Sequence, residues 1–177
     1  NVLEFGCQTA LMAPTAILAK QHYNLARKIF SNTRIKIKLL TGKTELKFKK
    51  KILEELKDGK IDLLIGTHAL FQKKIEFNNL GYIIIDEQHK FGVKQRMSFA
   101  EKGGKNCDVL LMSATPIPRT MMLTIYGDMD VSRLTEKPKN RLPILTYSKP
   151  EKKIDDLIEI IKKNISQNNQ VFWVCPL

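Results

Sequence analysis

The sequence predicts an α/β fold: a parallel sheet flanked by helices. Three observations carry this. Short, almost continuously apolar runs such as Ile83-Ile84-Ile85 recur along the chain. Stretches with apolar residues at helical spacing alternate with them. Carboxylates, hydroxyls and glycines follow directly after several of the runs. A run that is apolar at consecutive positions is buried on both faces, which is the condition of a strand in a parallel sheet covered by helices. In that architecture ligands gather at the carboxyl ends of the strands, so the informative residues are expected just after each one.

The elements follow in order. Cys7 to Ala13 reads as a buried strand, and Leu18, His22, Leu25 and Ile29 then fall at helical spacing. Ile35 to Leu40 alternates apolar and basic, as a strand with one wet face does. Phe48, Ile52, Leu53 and Leu56 form a helical stripe closed by Asp58-Gly59, a C-cap signal. Ile61 to Ile65, Gly81 to Ile85 and Val109 to Met112 read as further strands. Helical segments are expected at His68–Gln72, Val93–Lys102 and Arg119–Tyr126. The polar, proline-containing stretch 135–141 reads as a linker. Beyond it, Leu142–Tyr147, the stripe Ile154, Leu157, Ile158, Ile161, Ile165, and Val171–Cys175 make one βαβ unit, too small to fold alone. The expected organisation is a first domain over 1–134, a linker over 135–141, and the beginning of a second α/β domain over 142–177.

Composition narrows the class. The chain has 177 residues, 43% of them apolar, with 30 Lys+Arg against 18 Asp+Glu and a net charge of +12. That is too apolar for a disordered tail. No apolar run is long enough to span a membrane. The start has no basic region followed by an apolar core, so it is not a secretory signal. Without an initiator Met, the chain is expected to be an excerpt from something longer. Cys7, Cys107 and Cys175 lie far apart without zinc spacing, and read as reduced thiols of a cytoplasmic protein. Between Arg34 and Lys60 there are ten Lys/Arg and four Asp/Glu, half of the net charge. An excess of this kind fits a polyanionic partner such as nucleic acid, and equally a solvated surface.

The segment Ile83-Ile84-Ile85-Asp86-Glu87-Gln88-His89 carries the most chemistry. An apolar strand ends in two adjacent carboxylates, and neighbouring carboxylates need a cation. A strand-end Asp86 can hold Mg²⁺, directly or through water, and Glu87 can orient or deprotonate an attacking water. A zinc site of Asp86, Glu87 and His89 lacks the spacing such sites use, since His22 and His68 lie in other segments. Ser113 and Thr115 place two hydroxyls at another strand end, within reach of His89 or the carboxylates; Thr115 before Pro116 also reads as a helix cap. Pro14-Thr15, Thr41-Gly42 and Gly66-Thr67-His68 follow three further strands. Each offers a hydroxyl, and two a glycine, suited to phosphate contacts that read no sequence. Together they form a candidate strand-binding track. Gly42-Lys43-Thr44 resembles the end of a phosphate loop, but G-x-x-x-x-G-K-[ST] needs glycine where Ile37 stands.

These segments resemble the superfamily 2 helicases, whose motor is a pair of RecA-like domains. Asp86-Glu87-Gln88-His89 looks like the DEAD/DEAH box, Ser113-Ala114-Thr115 like the motif that couples hydrolysis to strand movement, and the three hydroxyl segments like the strand-binding motifs of the first motor domain. The run from Asp86 through Lys90-Phe91-Gly92-Val93-Lys94-Gln95-Arg96 is similar to the RecG family of branch-migrating DNA helicases. So are Ala13-Pro14-Thr15 through Gln21-His22-Tyr23, Pro116-Ile117-Pro118-Arg119-Thr120 through Tyr126-Gly127-Asp128, and Val174-Cys175-Pro176-Leu177. The transcription-repair coupling translocase shares part of this pattern, and the primosomal helicase less; His89 and Tyr126-Gly127-Asp128 favour RecG. Ala16 stands where the family tends to carry an acidic residue.

The resemblance implies an ATP-dependent motor acting on branched DNA (forks and Holliday junctions). It implies that Asp86 binds Mg²⁺ through water, that Glu87 is the general base, and that His89 links the nucleotide site to Ser113 and Thr115. It places the family's P-loop upstream of Asn1, and its arginine finger and wedge domain outside the chain. The fragment alone is therefore expected to hydrolyse no ATP. The alternatives are a transcription-repair type translocase, a non-hydrolytic DNA-binding remnant of such a motor, and an unrelated basic α/β module.

Overall fold

The computed structural model describes residues 1–72, 74–87, 102–103, 107–115, 130–136 and 141–175. Two compact units divide at Asp130/Val131.

The first unit holds the expected parallel α/β sheet. Among the described residues its strands are β1 (Gln8–Met12), β2 (Ile37–Leu40), β3 (Leu63–Gly66), β4 (Leu80–Ile85) and β5 (Asp108–Leu111), and its α-helices are α1 (Ala16–Ile29) and α2 (Leu46–Lys57). The five strands lie in the order β2-β3-β1-β4-β5, and every neighbouring pair is parallel. The two most central apolar strands are buried almost throughout, as a sheet covered on both faces requires. Leu64, Ile65, Ile83 and Ile85 are fully excluded from solvent.

The register aligns the strand ends. Leu40 pairs with Gly66, Gly66 with Met12, Met12 with Ile85, and Ile85 with Leu111. Each ladder runs one residue further. Thr67 N–H donates to Leu40 O at 3.3 Å, Ala13 N–H to Gly66 O at 2.9 Å, Asp86 N–H to Met12 O at 2.9 Å, and Met112 N–H to Ile85 O at 2.8 Å. All five strands therefore release their chains from one level edge.

The two helices pack by their local patterns. Thr15 caps α1, its hydroxyl accepting Leu18 N–H at 3.3 Å. In α1 the packed face carries Ala19 with Leu18, Tyr23, Ala26 and Phe30. Leu25 and Ile29, two members of the stripe read from the sequence, are 56% and 64% exposed. A helix presents several apolar rows at similar spacing, and the small Ala19 and Ala26 let one row approach the sheet closely. In α2, Ile52 and Leu56 are buried as expected, and Gly59 follows the Asp58 cap at φ 71°, the left-handed C′ position that favours glycine.

Gln8 ties three elements together. Its side-chain amide N–H groups donate to Leu56 O at 2.9 Å and Ile61 O at 2.7 Å, and its carbonyl accepts from Asn78 N–H at 2.7 Å and Asn79 N–H at 3.1 Å. The residue is 3% exposed, so this satisfaction is what allows a buried amide at the start of β1.

Of the shorter expectations, the helical turn after β3 is a 3₁₀ turn over His68–Phe71. The helix expected at Arg119–Tyr126 and nearly all of that at Val93–Lys102 lie outside the described residues.

The second unit contains one long helix, α3 (Ile154–Ser166), with Asp155 and Asp156 in its first turn and Lys163 in its last, favourable at both ends of the helix dipole. The strands expected at Leu142–Tyr147 and Val171–Cys175 are not formed. A helix closes its hydrogen bonds within itself, whereas a strand needs a neighbouring ladder. Leu142, Ile144, Phe172 and Val174 are 73–88% exposed accordingly.

Candidate nucleotide and nucleic-acid edge

The carboxyl edge of the sheet sorts the predicted site residues by type. Across the order β2-β3-β1-β4-β5, the emerging residues are Thr41-Gly42, then Thr67-His68, then Pro14-Thr15, then Asp86-Glu87, and finally Ser113-Thr115. The candidate contact residues occupy the half formed by β2, β3 and β1. The candidate chemical residues occupy the half formed by β4 and β5. At about 4.8 Å per strand, the row from Thr41 to Asp86 spans about 14 Å.

Asp86 is held on both oxygens. Oδ1 accepts the backbone N–H of Glu87 at 2.9 Å, and Oδ2 lies 2.8 Å from Nε2 of His22 on α1. A carboxylate oxygen only accepts, so Nε2 carries the hydrogen. The two side chains are 20% and 27% exposed, which limits competition from bulk water. Glu87 has φ 50°, a left-handed conformation that costs a residue with a Cβ about 1–2 kcal/mol. Such strain persists where surrounding structure over-determines it and gathers at functional sites. His89 lies outside the described residues.

Ser113 and Thr115 are exposed and organise each other. Their hydroxyls are 3.1 Å apart, and Thr115 N–H donates to Ser113 Oγ at 3.2 Å. The residues of the helix that Thr115 was expected to cap lie outside the described residues.

In the contact half, Thr41 N–H donates to Thr44 Oγ1 at 3.0 Å and Thr44 N–H returns to Thr41 O at 3.1 Å, closing a tight turn. The two glycines differ. A Cβ on Gly66 would collide with Leu40 O, so packing alone demands glycine there. A Cβ on Gly42 would meet nothing within 4 Å. Thr67 is 4% exposed and its hydroxyl has no hydrogen-bond partner among the described residues. In that segment His68 is the exposed member.

The donor set of the β4 end suits Mg²⁺. It is oxygen only, and no group of three or more His, Cys, Asp or Glu among the described residues can hold a metal alone. Mg²⁺ keeps most of its waters and is bound by one or two carboxylates together with substrate phosphates, rather than by an all-protein cage. Asp86 and Glu87 fit that mode.

One residue at this site was not predicted for it. The sequence placed His22 on a helix and gave it no partner, because Asp86 stands 64 positions away. Its only signal was a histidine within a stripe otherwise apolar.

A parallel sheet with paired carboxylates after one strand and hydroxyl-bearing turns after its neighbours is the framework of a helicase motor domain. The DEAD/DEAH box helicase family matches residues 2–124, and the chain belongs to that family. Within it, the chain is similar to RecG helicases along nearly its whole length. It is 46% identical over 176 residues to the ATP-dependent DNA helicase RecG of Borreliella burgdorferi, covering 99% of this chain and 26% of that protein. It is 47% identical over 174 residues to that of Thermotoga maritima, covering 98% and 22%. A solved structure of RecG bound to a three-way DNA junction superposes with a TM-score of 0.76 at 44% identity, covering 97% of this chain and 23% of that one. The Mycobacterium smegmatis helicase Lhr, at 14% identity and TM-score 0.57, shares the fold. The chain thus spans about a quarter of the length of these RecG relatives. No helix among the described residues is long and apolar enough to cross a membrane.

Proposed function

We propose that this chain works within a longer ATP-dependent DNA helicase that remodels branched DNA, residues 1–134 being most of its first motor domain, 135–141 a linker, and 142–177 the start of its second. The observation that supports this best is the level carboxyl edge, with hydroxyl- and glycine-bearing turns after β2, β3 and β1 beside paired carboxylates after β4. A motor needs nucleotide chemistry and strand contact on one rigid element, so that a change at one is felt at the other.

In this reading Asp86 holds Mg²⁺ through water. The metal, when bound, neutralises charge on the β- and γ-phosphate oxygens of ATP. Glu87 accepts the proton of the attacking water. Its left-handed backbone interrupts the extended conformation of β4 directly after Asp86. Ser113 and Thr115, joined by their hydroxyls, couple the nucleotide site to movement together with His89. Pro14, Thr15, Thr41, Gly42, Gly66, Thr67 and His68 form the DNA track. Within it, Gly42 and His68 offer exposed groups, Gly66 serves by leaving room, and Thr67 is buried with its backbone N–H and carbonyl already bonded to Leu40 and Leu70.

The test is hydrolysis of ATP by the longer motor, with and without forked DNA, for the wild type and Glu87→Gln. Loss of turnover with DNA binding retained is expected. Turnover within a few-fold of wild type in Glu87→Gln removes Glu87 as the base.

A further inference from the structure

We infer that His22 is a positioning residue for Asp86, joining the contact half of the sheet edge to its chemical half. The inference rests on the reading of Asp86 as the Mg²⁺ carboxylate.

The carboxylate of Asp86 is fixed from two sides. Glu87 N–H on Oδ1 comes from the same strand-end turn, and His22 Nε2 on Oδ2 comes from a helix. Two donors on different oxygens set the plane of the group, and each oxygen keeps a lone pair for a hydrated cation. Groups that orient a metal-binding side chain in this way tune its affinity without touching the metal.

The position of His22 on α1 brings its imidazole past the end of β4 while its neighbours pack on the sheet. The face that packs on the sheet carries Ala19, Tyr23, Ala26 and Phe30. His22 lies at the edge of that face, one turn from Leu18, Ala19 and Ala26, and is half-buried on the wall of a groove of about 520 Å³ that Leu25, Ile29, Tyr82 and Ile84 also line. What the imidazole adds is one bond from α1 to the end of β4. Because α1 starts at Ala16, capped by Thr15 directly after the β1 end assigned to strand contact, and His22 lies about two turns beyond the cap, a shift of α1 on DNA would act directly on Asp86.

The test uses the longer motor carrying His22→Ala, His22→Gln and Asp86→Asn, singly, and His22→Ala with Asp86→Asn. The primary readout is equilibrium binding of a fluorescent ADP in Mg²⁺ and in EDTA, alongside the Mg²⁺ dependence of DNA-stimulated hydrolysis. His22→Ala is expected to weaken the Mg²⁺-dependent part of binding about tenfold or more, as loss of an outer partner does. Binding in EDTA stays unchanged. His22→Gln, whose amide N–H reaches a similar position, restores most of the loss, and the double variant is no worse than Asp86→Asn. An unchanged Mg²⁺ dependence in His22→Ala, or an equal loss in EDTA, overturns the inference while Asp86→Asn still abolishes Mg²⁺ dependence. If Asp86→Asn itself keeps that dependence, the functional reading of Asp86 fails, and the inference falls with it.

Discussion

Met12 and Ile85 are direct partners in adjacent parallel strands, so Ala13 and Asp86 leave the sheet side by side. Everything assigned to the edge depends on that pairing. A slip of one residue turns every side chain of a strand to its other face. The buried pattern of β4, with Ile83 and Ile85 fully excluded from solvent, makes such a slip costly.

Gly66 and Gly42 give opposite expectations for the same substitution. Gly66→Ala drives a Cβ against Leu40 O and should cost about 3 kcal/mol or more, since backbone must shift between two strands. Gly42→Ala should change stability by less than about 0.5 kcal/mol. Denaturant unfolding of the two variants measures both, and equal destabilisation contradicts the packing account.

Gln8→Leu should cost about 2–4 kcal/mol, because it strips partners from two buried-end carbonyls and two backbone N–H groups at once. A midpoint shift of that size without a change in m-value is expected in urea. A neutral result shows that water replaces the amide.

The lysines of α2 separate into bound and open. Lys49 Nζ donates to Gln72 Oε1 at 2.9 Å, and Lys51 lies 3.9 Å from Glu55. Lys50 and Lys74, with Lys49, border a groove floored by Leu46 and Leu53. If DNA crosses this helix, Lys50→Ala and Lys74→Ala should each lower the salt slope of DNA binding by about 1. A slope that does not move marks them as solvated charge.

Cys107 should resist alkylation. Burial, with smaller contributions from Asp108 and Cys7, pushes its thiol pKa up, so less thiolate is present near neutral pH. Cys175 is exposed. Timed iodoacetamide labelling with mass analysis should modify Cys175 first; the reverse order rejects the burial argument.

The sheet was legible because its signal is local. Three consecutive isoleucines ending in two acids mark both a buried strand and its carboxyl end, and β4 stops at Ile85. Strand ends elsewhere moved by a residue or two, since ladders rather than composition decide where pairing starts. Gly59 announced the end of α2 because a left-handed cap needs a particular residue. The face of α1 was not legible, because the alanines on it, buried Ala19 and half-buried Ala26, carry little hydrophobic signal. The His22–Asp86 bond was not legible either, because nothing in either segment encodes which strand end a helix will pass. The strands of residues 142–147 and 171–175 have strand-like sequences and lack a partner ladder among the described residues.

The division of the edge into a contact half and a chemical half is tested most directly by measuring fork binding and ATP hydrolysis on the same longer motor for Glu87→Gln and for His68→Ala combined with Thr15→Ala. Glu87→Gln should abolish hydrolysis and bind forked DNA as wild type does. The contact variant should bind DNA more weakly and lose DNA stimulation while keeping its DNA-independent turnover. Loss of DNA-independent turnover in the contact variant, or loss of DNA binding in Glu87→Gln, would contradict the division.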